Sequence, residues 1–148
     1  MEKLSQVQDA KALLSEATTW SVMKWLREKK RVRAIADQAN ALLDALRHQT
    51  QQSWPEELQA EYVSMKTDPR NGQEKQHRGN GAVRVTVKKV WEADYIALQA
   101  REEAEKTFDD AEKQLSTRLA REGCQKAIQS WELHEKAIEK ASALVRAK

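Results

Sequence analysis

The sequence predicts a mainly all-α protein, a long antiparallel helical hairpin with a short third helix and one long loop. Three observations predict it. Charged residues make up 33% of the 148-residue chain and aromatic residues only 5%, the composition of long solvated helices rather than of a thick sandwich. Glycine occurs four times and proline twice, too few breakers for many turns. Apolar residues recur at helical spacing through both halves of the chain. The length suits one domain, taken here as residues 1–148.

Residues 3–52 hold neither Gly nor Pro. Leu4, Val7, Leu14, Trp25, Val32, Ile35, Ala39, Leu42 and Leu46 fall on one stripe, which predicts a single amphipathic helix over about 3–52. The seam is poor between Lys11 and Glu28, where Leu13, Ala17, Trp20 and Leu26 shift or widen the apolar face. A broad helix-packing face fits that pattern better than a strict zipper.

Ser53 and Glu56 have capping-box spacing around Pro55, a residue welcome in a first helical turn. A short helix over about 55–66 follows, with Leu58, Tyr62 and Met65 on one face, and Pro69 ends it. Residues 68–81 contain three of the four glycines and both Asn-Gly pairs, so they form the one long loop. Val83, Val85 and Val87 then alternate strictly. The pattern reads as a minor strand or hairpin near 83–87, or as an extended lead-in to the last helix.

From about 88 to 147 the chain again lacks Pro, and Trp91, Tyr95, Leu98, Phe108, Ala111, Leu115, Leu119, Ala127, Trp131, Ile138 and Val145 define an apolar face. Gly123 is its weak point, costing about 1 kcal/mol against Ala. It marks a kink, a close helix contact or a break into two helices.

Charge suggests how the long helices pair. Lys24, Arg27, Lys29, Lys30, Arg31 and Arg33 surround a single acid, Glu28. Residues 92–112 are as strongly acidic, with Glu102, Glu103, Glu105, Asp109, Asp110 and Glu112 at their centre. If residue 50 sits beside residue 88, Glu28 faces Asp110 and the two blocks meet, with Val7 near Trp131. Exposed ion pairs stabilise little, roughly 0.2–1 kcal/mol each, but like-charge alternatives are penalised. Two helices alone leave part of each apolar stripe wet. The sequence reading therefore expects a homodimer or other homo-oligomer, most simply a C2 dimer forming a four-helix bundle.

The chemistry-bearing classes find little support. One cysteine, Cys124, excludes an internal disulfide. The start at Met1 lacks an apolar signal core, and no run approaches the roughly 18 apolar residues of a membrane span. A cytoplasmic protein is expected. Glu105, Asp109 and Glu112 share a helix face, but no Glu-x-x-His accompanies them, and His134-Glu135 does not continue to a zinc motif because position 138 is Ile. No metal, cofactor or catalytic residue is expected.

The net charge of +3 does not demand a nucleic-acid partner. Two basic segments could still contact phosphate or an acidic partner. One is the helical run carrying Lys24, Arg27, Lys30 and Arg31. The other is the 70–89 region carrying Arg70, Lys75, Arg78 and Arg84. The sequence reading is a non-enzymatic helical interaction or scaffold protein that self-associates and presents an apolar face or its loop to a protein partner. Nucleic-acid binding through 24–33 or 70–89 is the alternative.

Overall fold

Where one unbroken helix is expected over 3–52, the computed structural model has two: α1 (Glu2–Ala17) and α2 (Val22–Gln52). The model describes the backbone of residues 2–67 and 81–146 and the side chains of 4–65 and 86–145. Hydroxyl side chains make this break without Gly or Pro. Thr18 and Thr19 donate from Oγ1 to the carbonyls of Ser15 and Glu16 at 2.6 and 2.7 Å. The N–H groups of Thr18, Thr19 and Trp20 tighten onto carbonyls three residues back. Ser21 then starts α2, its Oγ accepting the Lys24 N–H at 3.2 Å. Trp20 is buried, so the corner is anchored as well as capped.

The short helix α3 (Glu56–Thr67) is where the capping pattern places it. The strand reading of 83–87 is corrected. Residues 81–87 open the helix α4 (Gly81–Gln114), and no strand occurs among the described residues. Alternation of Val is a weak signal beside a row that continues at steps of three and four. Val87, Val90, Ala97, Ala104, Phe108 and Ala111 form that buried row along α4. The predicted loop 68–81 lies outside the described residues except for Gly81.

The last long helix is also divided, not at Gly123 but at Leu115-Ser116, before α5 (Thr117–Arg146). Leu115 adopts φ 52°. Its N–H donates to Glu112 O at 3.3 Å and the Ser116 N–H to Ala111 O at 2.9 Å. That pairing of bonds is the Schellman stop, with Leu at the left-handed position Gly usually fills. The Ser116 Oγ then accepts the Leu119 N–H at 3.1 Å and caps α5. Gly123 stays helical and serves as a close contact: a Cβ there would stand 2.8 Å from Phe108 Cδ1.

Each long element is therefore a helical hairpin. α4 and α5 lie antiparallel, brought close by Gly123 and by the buried Ala104, Ala111, Ala120 and Ala127. α1, α2, α4 and α5 share the larger core, built around Val7, Leu14, Val32, Leu43, Phe108 and Trp131. Trp54, Tyr62, Met65, Val87, Val90 and Leu144 form a second core where α3 lies on α4 and α5. Two unbroken helices would have left the core-facing stripe wet; four helices of one chain enclose it, while Val22, Leu26, Tyr95, Leu98 and Leu115 stay exposed outside the core. Burial of the core thus makes no demand for a second copy.

The charge-based register is offset by one to two helical turns: Arg33 bonds Asp109, Arg47 bonds Asp94 and Arg101 bonds Asp44, where that register sets residues 105, 91 and 37 opposite them. Arg33, not Glu28, reaches the acidic block, bonding Asp109 at 3.3 Å and lying 3.8 Å from Glu112. Arg101 pairs with Asp44 at 2.7 Å and Arg47 with Asp94 at 2.8 Å along the same α2–α4 seam. Val7 and Trp131 share the larger core, and Lys11 pairs with Glu135 across α1 and α5.

Candidate functional site

Both hairpin turns, 18–21 and 115–116, lie at the same end of the molecule. Arg121 Nη2 of α5 donates to Trp20 O at 2.9 Å, tying the two corners together. Between the start of α2 and the α4–α5 turn runs a groove of about 170 Å³. Trp25 and Phe108, both buried, contribute to its lining, with Ala111 beside them. Trp25 is braced by Trp20, their ring centroids 6.5 Å apart.

The rim is apolar and exposed. Val22 is 51% exposed, Leu26 50% and Leu115 84%; Met23, next to the groove in sequence, is 68% exposed. These are four large apolar side chains grouped in water at one end of the molecule, a grouping that marks an interaction surface. Leu115 is held there by a left-handed backbone that costs a non-Gly residue about 1–2 kcal/mol. Strain of this kind is typical of positions kept for function.

Lys29 and Arg33 line the groove from α2 and Glu112 from α4. The Arg33 guanidinium lies 5.0 Å over the Phe108 ring while it bonds Asp109, so it serves both as lid to the aromatic floor and as cation at the rim. No nucleophile with an adjacent base lines the groove. Val22, Trp25, Leu26, Phe108, Ala111 and Leu115 make its lining mainly apolar.

A second polar feature runs between the two cores. Asn40 Oδ1 accepts the Trp131 indole N–H at 2.8 Å. Arg47 forks onto Asp94 through Nε and Nη2, and the Tyr62 hydroxyl donates to Asp94 at 2.5 Å. The same guanidinium stacks over Trp54 and Tyr62 at 5.0 and 5.2 Å. Burial, then the Asp94 carboxylate, push the Tyr62 phenol well above its ordinary range. His134 is buried in the same belt, and burial followed by the Arg101 charge pulls it down to about 4. Cys124 is fully buried, and burial pushes its thiol up to about 12, leaving it inert at neutral pH. Among the described residues no group of three or more His, Cys, Asp or Glu is arranged to hold a metal ion.

No protein-family model, curated protein or solved structure matches the chain. The chemistry of the groove therefore stands on these residues alone.

The sequence-derived contact residues divide into three groups. Lys24 Nζ sits 4.9 Å over the Trp20 ring, and Arg31 bonds Glu28 at 2.8 Å. Arg27 and Lys30 are exposed on α2 and make no ion pair among the described residues. Arg70, Lys75 and Arg78 lie outside the described residues, as does the side chain of Arg84 in α4. The sequence reading missed Val22, Leu26 and Leu115 as site residues. Leu115 was placed on the buried face, and the positive φ that turns it outward has no sequence signal. Leu26 carried a weak one, falling off the apolar seam. Among the described residues no helix is long and apolar enough to cross a membrane.

Proposed function

We infer that the protein is a non-enzymatic helical interaction protein that holds an apolar segment of a protein partner in the groove between α2 and the α4–α5 turn. One observation carries this reading: Val22, Leu26 and Leu115 stand exposed around a groove lined by buried Trp25 and Phe108. An aromatic-lined cleft with an exposed aliphatic rim suits the apolar side of an amphipathic helix. Lys29 lines the cleft, and Arg27 and Lys30 lie next to it in sequence on α2, which favours a segment with acidic flanks.

The reading is tested by site-specific photo-crosslinking in cells. A crosslinker at Leu115 is expected to trap a discrete protein adduct that Leu26→Asp abolishes. A crosslinker at Lys136, exposed on α5 and not part of the groove, is the control. The same adducts from both positions, or none from Leu115, would sink the docking role.

Nucleic-acid binding is kept as a second reading because Arg27 and Lys30 are exposed one turn apart without an ion pair. It requires salt-dependent binding of DNA or RNA. No binding to either at about 50 mM salt eliminates it.

A further inference from the structure

On the outward side of α4, Lys88, Trp91, Tyr95, Leu98, Glu102 and Glu105 follow one another at alternating steps of three and four. That spacing places them on one straight row, the seam of a two-helix contact. Lys88 and Trp91 are half-buried, and the rest of the row faces water. Tyr95 is 48% exposed and Leu98 45%, Ile96 beside them is 53% exposed, and Glu102 and Glu105 are exposed as well. The Trp91 and Tyr95 rings stack 5.5 Å apart at an interplanar angle of 11°, giving the centre of the row a flat aromatic surface. Trp91 is half-buried against the second core, and among the described residues it is Tyr95, Ile96 and Leu98 whose outer sides no other helix covers.

The order of charges on the row says what does. It is cationic at its N-terminal end, apolar in the middle and anionic at its C-terminal end. An identical row laid antiparallel is its complement. With Tyr95 opposite Leu98 of the second copy, Trp91 meets Glu102 and Lys88 meets Glu105. Each contact occurs twice by symmetry. The Trp91 indole N–H gains a carboxylate to donate to. A parallel copy would instead set Lys88 against Lys88 and the two glutamates against themselves, an arrangement penalised by like charge. We propose that the Trp91–Tyr95–Leu98 face of α4 is a self-association surface on which two copies of this chain pair antiparallel about a two-fold axis. The surface is separate from the groove and does not depend on it.

Sedimentation equilibrium of the full chain across a hundredfold concentration range tests this. The wild type is expected to form dimers in a concentration-dependent equilibrium, and Leu98→Glu to raise the dimer Kd at least tenfold while melting like the wild type, because position 98 is exposed. Lys88→Glu and Glu105→Lys should each weaken the dimer severalfold, and the double variant should restore it. Leu115→Asp, in the groove, should leave it unchanged. A monomer at every concentration, or a dimer indifferent to Leu98→Glu, would overturn the proposal. Loss in both charge variants without recovery in the double would overturn the antiparallel pairing.

Discussion

Gly123 of α5 lies directly against the ring of Phe108 in α4, with space for a hydrogen and not for a methyl group. Helix propensity alone would make Gly123→Ala stabilising by about 1 kcal/mol. The contact reverses the sign. The added Cβ would stand 2.8 Å from a buried aromatic carbon, so the ring or the helix must shift. A net loss of about 1–2 kcal/mol is expected from overpacking, read as a lower urea midpoint with an unchanged slope. A higher midpoint would show that the helices separate at little cost.

Leu115 should behave in the opposite way. Leu115→Gly relieves a left-handed backbone at a side chain that is 84% exposed, so it should gain about 0.5–1 kcal/mol. The same change removes part of the groove rim. A more stable protein with weaker partner capture is the expected pair of results, the usual trade between stability and function. A loss of stability would mean that Leu115 contributes packing its exposure does not reveal.

The Arg47–Asp94–Tyr62 cluster predicts a ranking. Tyr62→Phe removes one donor from Asp94 and should cost about 1–2 kcal/mol. Asp94→Ala leaves the Arg47 guanidinium, 12% exposed, without its forked partner and should cost about 3 kcal/mol or more. Thermal or urea unfolding of both variants checks the order. Equal losses would mean that the phenol, not the carboxylate, organises the cluster.

His134 sets a pH dependence. Its folded pKa, about 4, lies below the ordinary 6.5. A depressed value means that the unfolded chain takes up the proton first as pH falls. The stability contributed by neutral His134 is therefore full above 6.5 and is lost between 6.5 and about 4. His134→Gln should be less sensitive than the wild type between about pH 7 and pH 5, measured as the change in urea midpoint. Parallel losses in the two proteins would assign the acid sensitivity to carboxylates instead.

Composition and periodicity were enough to read an all-α chain and the short helix after Pro55, whereas of the basic run only Arg33 pairs with the acidic block among the described residues. The two corners were not readable, for physical reasons that differ. At 18–21 the helix is stopped by Thr hydroxyls competing for backbone carbonyls, and Thr18 and Thr19 could equally sit on a helix surface. At 115 the stop requires a left-handed residue, and Leu carries no mark of it. Missing both corners turned four helices into two, and with them the inferred need for a second copy to cover the core. The groove was hidden for a related reason. In an amphipathic pattern an exposed Leu26 or Leu115 looks like any other core position until the turns are placed.

The four long helices are not joined with equal immediacy. α4 and α5 meet across a two-residue corner, so their contacts close short loops of chain. α1 reaches its seat on α5 through partners from opposite ends of the sequence, such as Lys11 and Glu135. Local contacts form fast and distant ones late, so the α1–α2 and α4–α5 hairpins are expected to form before α1 docks on α5. On the emerging chain α1 is made before α5, so its contacts with α5 close only once α5 has emerged. Until then α2 alone is there to cover the apolar side that carries Val7, Ala10 and Leu14.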